Sequence, residues 1–462
     1  MGGVELIALT ALIAMLPAGV QSDGGPWSQP ATLSACSASG GPSILFPSDA
    51  PRHATGPGAI VWGSAPRCPG AGGPRISAIA PGGDAPGRPH IPRTASGRAL
   101  ALIGPIAAAA APDGRMLLAG QAAAPGRTQN GLLFSEGSAR GALSAPQSTG
   151  GPPAPLALST AYLGDVALLS PSDSGHGPST IELRVHRYYE SSFLAPVPVT
   201  SGRSVGGLTL ALDYRSDALA VWQRGEAIYA RDMPGSNRSA RSPARIARAA
   251  PHARIAALRS DDDRAILAWS ETRGGITRVY AELSSPDVRF GAARLLERFA
   301  DPGGLEPPPP RLVRLLSESV MLAWTGAESG HWVVRTAAVD LNGVRSIDTI
   351  SSPARNALLA GLAPGPDGEA YALWSEPQPT SSSFSSSSGL DLSDQAVYAA
   401  RGVDAYPGRT IFTAPQRISA PGDRGSTGEA AIAVDPDSDR AIAAWRTPGG
   451  AIDYSLRALG GS

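Results

Sequence analysis

The sequence predicts an all-β fold, a β-propeller of eight four-stranded blades closed by a strand from the N-terminus. Three observations predict it: a recurring apolar run, a turn chemistry that recurs with it, and two chain ends that complement each other. The apolar runs are Ala59–Trp62, Met116–Ala119, Val166–Leu169, the runs ending at Trp222, Trp269 and Trp324, Tyr371–Trp374, and the run ending at Trp445. Their mean spacing is about 55 residues, a period that belongs to propeller blades.

Taking that run as strand B, the other strands of each blade follow in order. Strand A precedes it, as in Leu208–Leu212, Arg254–Leu258, Leu312–Leu316 and Ala431–Val434. The A–B turns are rich in Asp, Gly and Ser: Pro112-Asp113-Gly114, Tyr214-Arg215-Ser216-Asp217, Asp261-Asp262-Asp263 and Pro366-Asp367-Gly368. These residues hold tight turns through side-chain to backbone bonds or positive φ. Strand C alternates, as in Ala227–Ala230, Arg278–Ala281, Trp332–Thr336, Val397–Ala400 and Ala451–Leu456. Strand D carries an apolar residue, a Pro and an aliphatic, as in Phe193–Val197 and Phe412–Ser419. Small residues dominate A and B, where converging sheets leave little room. The Trp that closes B is expected to fill the core between neighbouring sheets.

The chain ends supply the closure. After the eighth strand C the sequence runs out at Ser462 without a strand D. Before the first strand A lies Trp27-Ser28-Gln29-Pro30-Ala31-Thr32-Leu33-Ser34, which matches Phe412 to Ser419 position by position in aromatic, Pro, aliphatic and Ser. Trp27–Leu33 is therefore expected to be the outermost strand of the last blade. Seven blades are the alternative, because the first unit is rich in Gly and Pro and its strands, Ile44–Phe46 and Ile76–Ala80, are weak.

Composition narrows the function. The 39 basic and 39 acidic residues cancel, and no Lys is present. Without a basic excess nothing neutralises phosphates, so no nucleic acid partner is expected. The Arg, Ala and Gly bias is of the kind that GC-rich bacterial genomes encode. Leu6 to Leu16 reads as the apolar region of a signal peptide followed by Pro17, with residues 1–22 removed before Asp23 or, alternatively, cleavage after Ala18. No Arg or Lys precedes it, and Glu5 stands there instead. The run falls short of the ~20 apolar residues that span a bilayer, so no stable membrane insertion is expected after cleavage. Residues 23–462 are expected to form one propeller domain, secreted, periplasmic or at the cell surface, and monomeric.

Candidate chemistry is sparse. Asp435-x-Asp437-x-Asp439 and Asp261–Asp263 offer oxygen ligands, but an EF-hand wants Gly and Glu where Arg440 and Arg446 stand, so turn formation explains them better. Arg187-Tyr188-Tyr189-Glu190 sets aromatics beside charges but falls where an outer strand needs covering. His176, His186 and His331 are scattered without metal-ligand spacing. No G-x-S-x-G, H-E-x-x-H or P-loop occurs, so the common hydrolase and nucleotide signatures are absent. Asn237-Arg238-Ser239 is a glycosylation sequon only in a eukaryotic secretory host. Residues 377–394, with a Ser-rich core, form an insertion between strands B and C of the seventh unit. No catalytic, cofactor-binding or metal residue is assigned.

This blade grammar resembles the sialidase-like, BNR-type repeat propellers of secreted bacterial proteins, over nearly the whole mature chain and in architecture only. The Asp-box, Ser-x-Asp-x-Gly-x-Thr-Trp, is missing, and the Asp turn here joins A to B where the Asp-box joins C to D. A sialidase would further need an arginine triad, a Tyr nucleophile and carboxylates, and no spacing singles out such a set. The expected function is that of an exported, non-enzymatic propeller binding a protein or glycan through the loops of one face. The alternatives are a glycan-acting hydrolase or lyase with residues scattered over several blades, and a structural component of a cell-surface assembly.

Cys36 and Cys68 are the only cysteines, and an even count in an exported chain favours a bridge. Closing a loop of about 30 residues, it would contribute roughly 3–4 kcal/mol in the chain-entropy model. Thiol labelling of the non-reduced exported protein should leave both unmodified, and modification of both would refute the pairing.

Overall fold

A computed structural model of the chain describes residues 25–458 apart from 36–37, 47–56, 66–67, 69–72, 81–84, 101, 112–113, 123–131, 149–156, 162–163, 173–179, 188, 191–192, 202–204, 214, 234–240, 261–262, 303–305, 316–318, 341–342, 366–367, 378–394, 407–408, 421–428 and 436–439. The expected signal segment, most of the Ser-rich insertion, the sequon and Cys36 therefore lie outside the described residues, while Cys68 is buried.

The strands follow the predicted rhythm. After β1 (Ala31–Ser34), blade 1 is β2 (Ser43–Leu45), β3 (Gly58–Ser64) and β4 (Gly73–Ile79). Blade 2 is β5 (Leu102–Ala110), β6 (Arg115–Ala122), β7 (Leu132–Ser138) and β8 (Gln147–Ser148). Blade 3 is β9 (Ala157–Thr160), β10 (Val166–Ser172), β11 (Thr180–His186) and β12 (Val197–Ser201). Blade 4 is β13 (Val205–Leu212), β14 (Ala218–Arg224), β15 (Ala227–Met233) and β16 (Ala244–Arg248). Blade 5 is β17 (Arg254–Arg259), β18 (Ala265–Arg273), β19 (Ile276–Leu283) and β20 (Arg294–Ala300). Blade 6 is β21 (Arg311–Arg314), β22 (Val320–Glu328), β23 (His331–Asp340) and β24 (Gly343–Thr349). Blade 7 is β25 (Leu358–Pro364), β26 (Ala370–Pro377), β27 (Gln395–Tyr406) and a strand D in two pieces, β28 (Arg409–Phe412) and β29 (Gln416–Arg417). Blade 8 is β30 (Ala430–Asp435), β31 (Arg440–Arg446) and β32 (Ile452–Ala458), with β1 on its outer edge.

The fold is an eight-bladed propeller, and the seven-blade alternative is excluded. Every inner strand touches the inner strands on both sides, and β30 returns to β2 to close the ring. Two blades depart from the regular unit. Among the described residues blade 1 has three strands, and its fourth position is held by single bridges from His90 to Ile76 and from Pro86 to Ile79. In blade 7 the expected single strand Phe412–Ser419 is broken at Thr413–Pro415, since Pro415 cannot donate to the ladder.

The closure occurs in the expected register. Thr32 pairs with Asp453, which pairs with Trp445; Arg417 pairs with Tyr398, which pairs with Trp374. Thr32 and Arg417 are thus equivalent, which aligns Pro30 with Pro415 at the outer edge. Ahead of the strand, Ser28 N donates to Leu456 O at 2.6 Å and Ser455 Oγ donates to Ser28 O at 2.7 Å. Trp27 is buried against Ile418, Trp445 and Tyr371, so the N-terminal segment also fills the seam between blades 7 and 8.

Each of the eight blade interfaces has its own apolar cluster. Alternation along strand B sends odd and even side chains to opposite neighbours. Trp222 packs toward blade 3 and Trp269 toward blade 4, and Trp62, Trp324, Trp374 and Trp445 each likewise face the preceding blade. All six are fully buried, as core packing requires. In blades 4, 5 and 7 the Trp stacks on a Tyr directly opposite on strand C, with centroids 5.8, 5.2 and 6.3 Å apart.

Deleting residues 23–35 removes β1 and Trp27 together. Chemical denaturation should show a loss of at least the about 3–5 kcal/mol of one buried Trp, with aggregation through the uncovered β32 edge. Removing residues 460–462 should change little. Equal effects from the two truncations would mean that the closing strand does not hold the ring.

Candidate functional site

Strands A begin, and strands B and C join, on one face of the ring. The loops that connect each blade to the next also open there. Strand B is buried through its Trp in blades 1, 4, 5, 6, 7 and 8, whereas the inner strands β9, β13, β17 and β21 are largely half-exposed although they lie at the centre. Their free edges and side chains therefore face a wet central channel. At its mouth, between blades 4, 5 and 6, lies a pocket of about 510 Å³, within the range of small-ligand sites.

Three segments build the pocket. Blade 4 contributes Gly207 and Leu208, which sit in a bulge of β13 between Gly206 and Thr209. Gly207 has φ +57°, and a Cβ there would meet Ile255 Cδ1 at 3.1 Å and Ala253 O at 3.3 Å. Glycine thus lets the inner strands of blades 4 and 5 approach.

The loop from blade 4 to blade 5 contributes His252 to Ile255. Buried Gln223, next to Trp222, clasps this loop from beneath. Its Nε2 donates to Ala250 O, and its Oε1 accepts from Ala253 N at 2.9 Å. Glu271 also accepts from Ala250 N. The clasp holds His252 at φ +64°, a left-handed conformation that non-glycine residues seldom adopt. His252 and Arg254 stand exposed on either side of buried Ala253.

The loop from blade 5 to blade 6 contributes Glu306 and Pro309. Glu306 is followed by Pro307–Pro310, with Pro307 and Pro310 buried. Four prolines fix φ in succession and make a stiff extended arm, so Glu306 is presented with little entropy left to lose. Its carboxylate meets Arg254 Nη2 at 2.7 Å, both side chains being more than half exposed. An ion pair this wet adds little stability. It does place a donor group and an acceptor group side by side at the pocket's rim.

The residues singled out in the sequence mostly lie elsewhere. Asp213, Asp217 and Asp263 come together at the A–B turns of blades 4 and 5, within 4.8 Å of one another. Asp213 Oδ1 accepts from Arg215 N and Asp217 N, both at 2.9 Å, which makes the turn. Arg259 occupies the centre, 3.0 Å from Asp213 and 3.7 Å from Asp217, and also reaches Asp232. Burial pushes the Asp213 carboxyl up and Arg259 pulls it back. These acids lock blade 5 to blade 4. Asp261, Asp262, Asp437 and Asp439 are outside the described residues, and Asp435 ends β30, buried.

Tyr189 is 66 % exposed beside Arg187, so the Arg187–Glu190 segment leaves an aromatic in solvent. Tyr188 and His176 are outside the described residues. His186 is buried between Phe134 and Phe193. A Tyr, a carboxylate and an Arg converge at two places among the described residues: Tyr280 bonds Glu271 beside Arg278, and Tyr371 bonds Glu369, which also holds Arg401. Tyr371 is fully buried on the opposite face from the pocket, and burial raises its pKa, so it has neither the access nor the ionisation of a nucleophile.

No family model matches the chain, and no curated protein matches it. The chain is similar to several solved structures. An ulvan lyase of a polysaccharide lyase family is 10 % identical, with 79 % of this chain and 92 % of that chain covered and a TM-score of 0.43. A prolyl endopeptidase is 14 % identical, with 89 % and 54 % covered and a TM-score of 0.44. An α-L-arabinofuranosidase of Fusarium graminearum is 10 % identical, with 74 % and 89 % covered and a TM-score of 0.36. No residue role is carried over from them.

A buried carboxyl elsewhere in the same pair of blades gives a measurable pH effect. Glu282 stands opposite Leu267 of the blade 4–5 core, 4 % exposed, and neither oxygen has a hydrogen-bond partner. Desolvation pushes its pKa up to about 7. A raised folded-state pKa means the protein is penalised as pH rises from the unfolded value toward about 7, and by a constant amount above it. Thermal denaturation of Glu282→Gln should therefore show a gain on the order of 1–3 kcal/mol at pH 8 that fades near pH 4.5. A gain independent of pH would show that Glu282 is not the titrating group.

Proposed function

We propose that the protein is an exported, glycan-binding propeller whose ligand seats at the channel mouth between blades 4, 5 and 6. The observation that supports this reading is the Arg254–Glu306 pair, held on a proline arm and a clasped loop at the rim of a pocket of about 510 Å³. Adjacent sugar hydroxyls are both donors and acceptors. A fixed guanidinium beside a fixed carboxylate answers both at once, and preorganisation keeps the ordering cost low. His252 adds a third polar group beside them. The pocket's apolar lining, Leu208, Ile255 and Pro309, is small, so polar contacts rather than a deep hydrophobic anchor carry the recognition.

A glycan array probed with the mature protein should return binders. Arg254→Ala and Glu306→Gln should each weaken them about tenfold, the loss of one charge-assisted hydrogen bond. Both side chains are exposed, so stability should stay within about 0.5 kcal/mol of the parent. Cleavage of a bound glycan would replace this reading with the hydrolase or lyase alternative. Selective capture of peptides with no glycan bound would replace it with protein recognition.

A further inference from the structure

Charge is distributed unevenly on the eight inner strands. Beside Asp435, buried at the end of β30, all of it is arginine and all of it is on blades 5 and 6: Arg254, Arg259, Arg311 and Arg314. Arg254 is paired with Glu306, Arg259 is enclosed by carboxylates, and Arg314 has a partner. Arg311 has no ion-pair or hydrogen-bond partner among the described residues.

Register shows how unusual its place is. Arg311 pairs with Ala323, the residue before Trp324. The same position in blades 1, 4, 5, 7 and 8 holds Ser43, Thr209, Ala256, Gly361 and Ala431, and blades 2 and 3 have Ala107 and Ala157 there. One layer of the channel thus has seven small or apolar residues and a single arginine. The gaps between inner strands at this level are narrow: a Cβ on Gly361 would come within 2.9 Å of Ile432 on the next strand. A long side chain has the channel to extend into, and Arg311 is exposed. It lies two positions deeper than Arg254, because Ala256 is its equivalent in blade 5.

We infer that Arg311 anchors an oxyanion, a carboxylate or sulfate group of a ligand that enters the channel at the mouth. This rests on the glycan-binding reading for the identity of the ligand, which becomes an acidic glycan, but the anion site itself is independent of it. A guanidinium without a partner on the wall of the channel is free to take a counter-charge. A planar two-oxygen acceptor matches its fork of donors. The rim pair then handles hydroxyls while the deeper arginine takes the charge.

Titration calorimetry of the full mature protein with sodium sulfate and with glucuronate, at ionic strength matched by chloride, tests this. Binding of either should fall at least about tenfold in Arg311→Gln and be retained in Arg311→Lys, and should weaken with added salt. Binding of sulfate alone assigns a sulfated ligand, and of glucuronate alone a uronate. No binding of either, or binding unchanged by Arg311→Gln, overturns the inference. If the anions bind through Arg311 and no glycan binds on the array, the glycan reading fails alone.

Discussion

A ring of sheets has one seam that the chain does not cross in sequence order, and everything else in this structure depends on how that seam is held. Blade 8 takes three strands from the end of the sequence and its outermost strand from the beginning. The bond is not only a ladder. Trp27 enters the blade 7–8 core and Leu33 packs on the blade 8–1 core, so one short segment fills both sides of the joint. The segment spans residues that are more than four hundred positions apart in sequence, such as Ser28 and Ser455. Closing so long a loop is costly in entropy, which the burial of a large aromatic offsets.

The rest of the ring is a solution to a taper. Toward the axis, alanine and glycine allow inner strands to touch; farther out, a Trp on strand B of six blades fills the widening gap. Because every strand-B Trp faces the preceding blade, no two of these six share an interface. Blades 2 and 3 lack the Trp at that position, and Phe134, Phe193 and His186 supply the aromatic bulk instead. A buried salt network, with Arg259 among three aspartates, adds a direction-specific link where blade 5 meets blade 4.

That rigidity is what the channel mouth uses. His252, Arg254 and Glu306 are on loops, yet each loop is fixed: one by the Gln223 clasp, the other by a row of prolines. Loops held in this way combine exposure with low conformational entropy, the condition under which a shallow polar pocket binds at all. The other face uses its polar residues for turns and seams, and its converging Tyr371, Glu369 and Arg401 are sealed inside.

Much of the fold was legible in the sequence because the physics that sets it is local and repeated. Apolar alternation, Asp-Gly-Ser turns and the blade Trp residues recur at one period, and the match between Trp27–Ser34 and Phe412–Ser419 announced the closure and its register. The broken strand at Pro415 and the three-stranded first blade were less legible, since they depend on which partner edge is present. The site was not legible. Arg254 and Glu306 are 52 positions apart and look like ordinary surface charges; the run Pro307–Pro310 was the available signal that one loop is stiff. Arg311 is one of 39 arginines until strand register puts it in a layer with seven residues that cannot pair with it. Glu282 looks exposed in an alternating strand until blade 4 covers it. Repetition in one dimension determined the blades and their order; only the closing of the ring decided which side chains share a pocket, because that proximity is made by the circle and not by the chain.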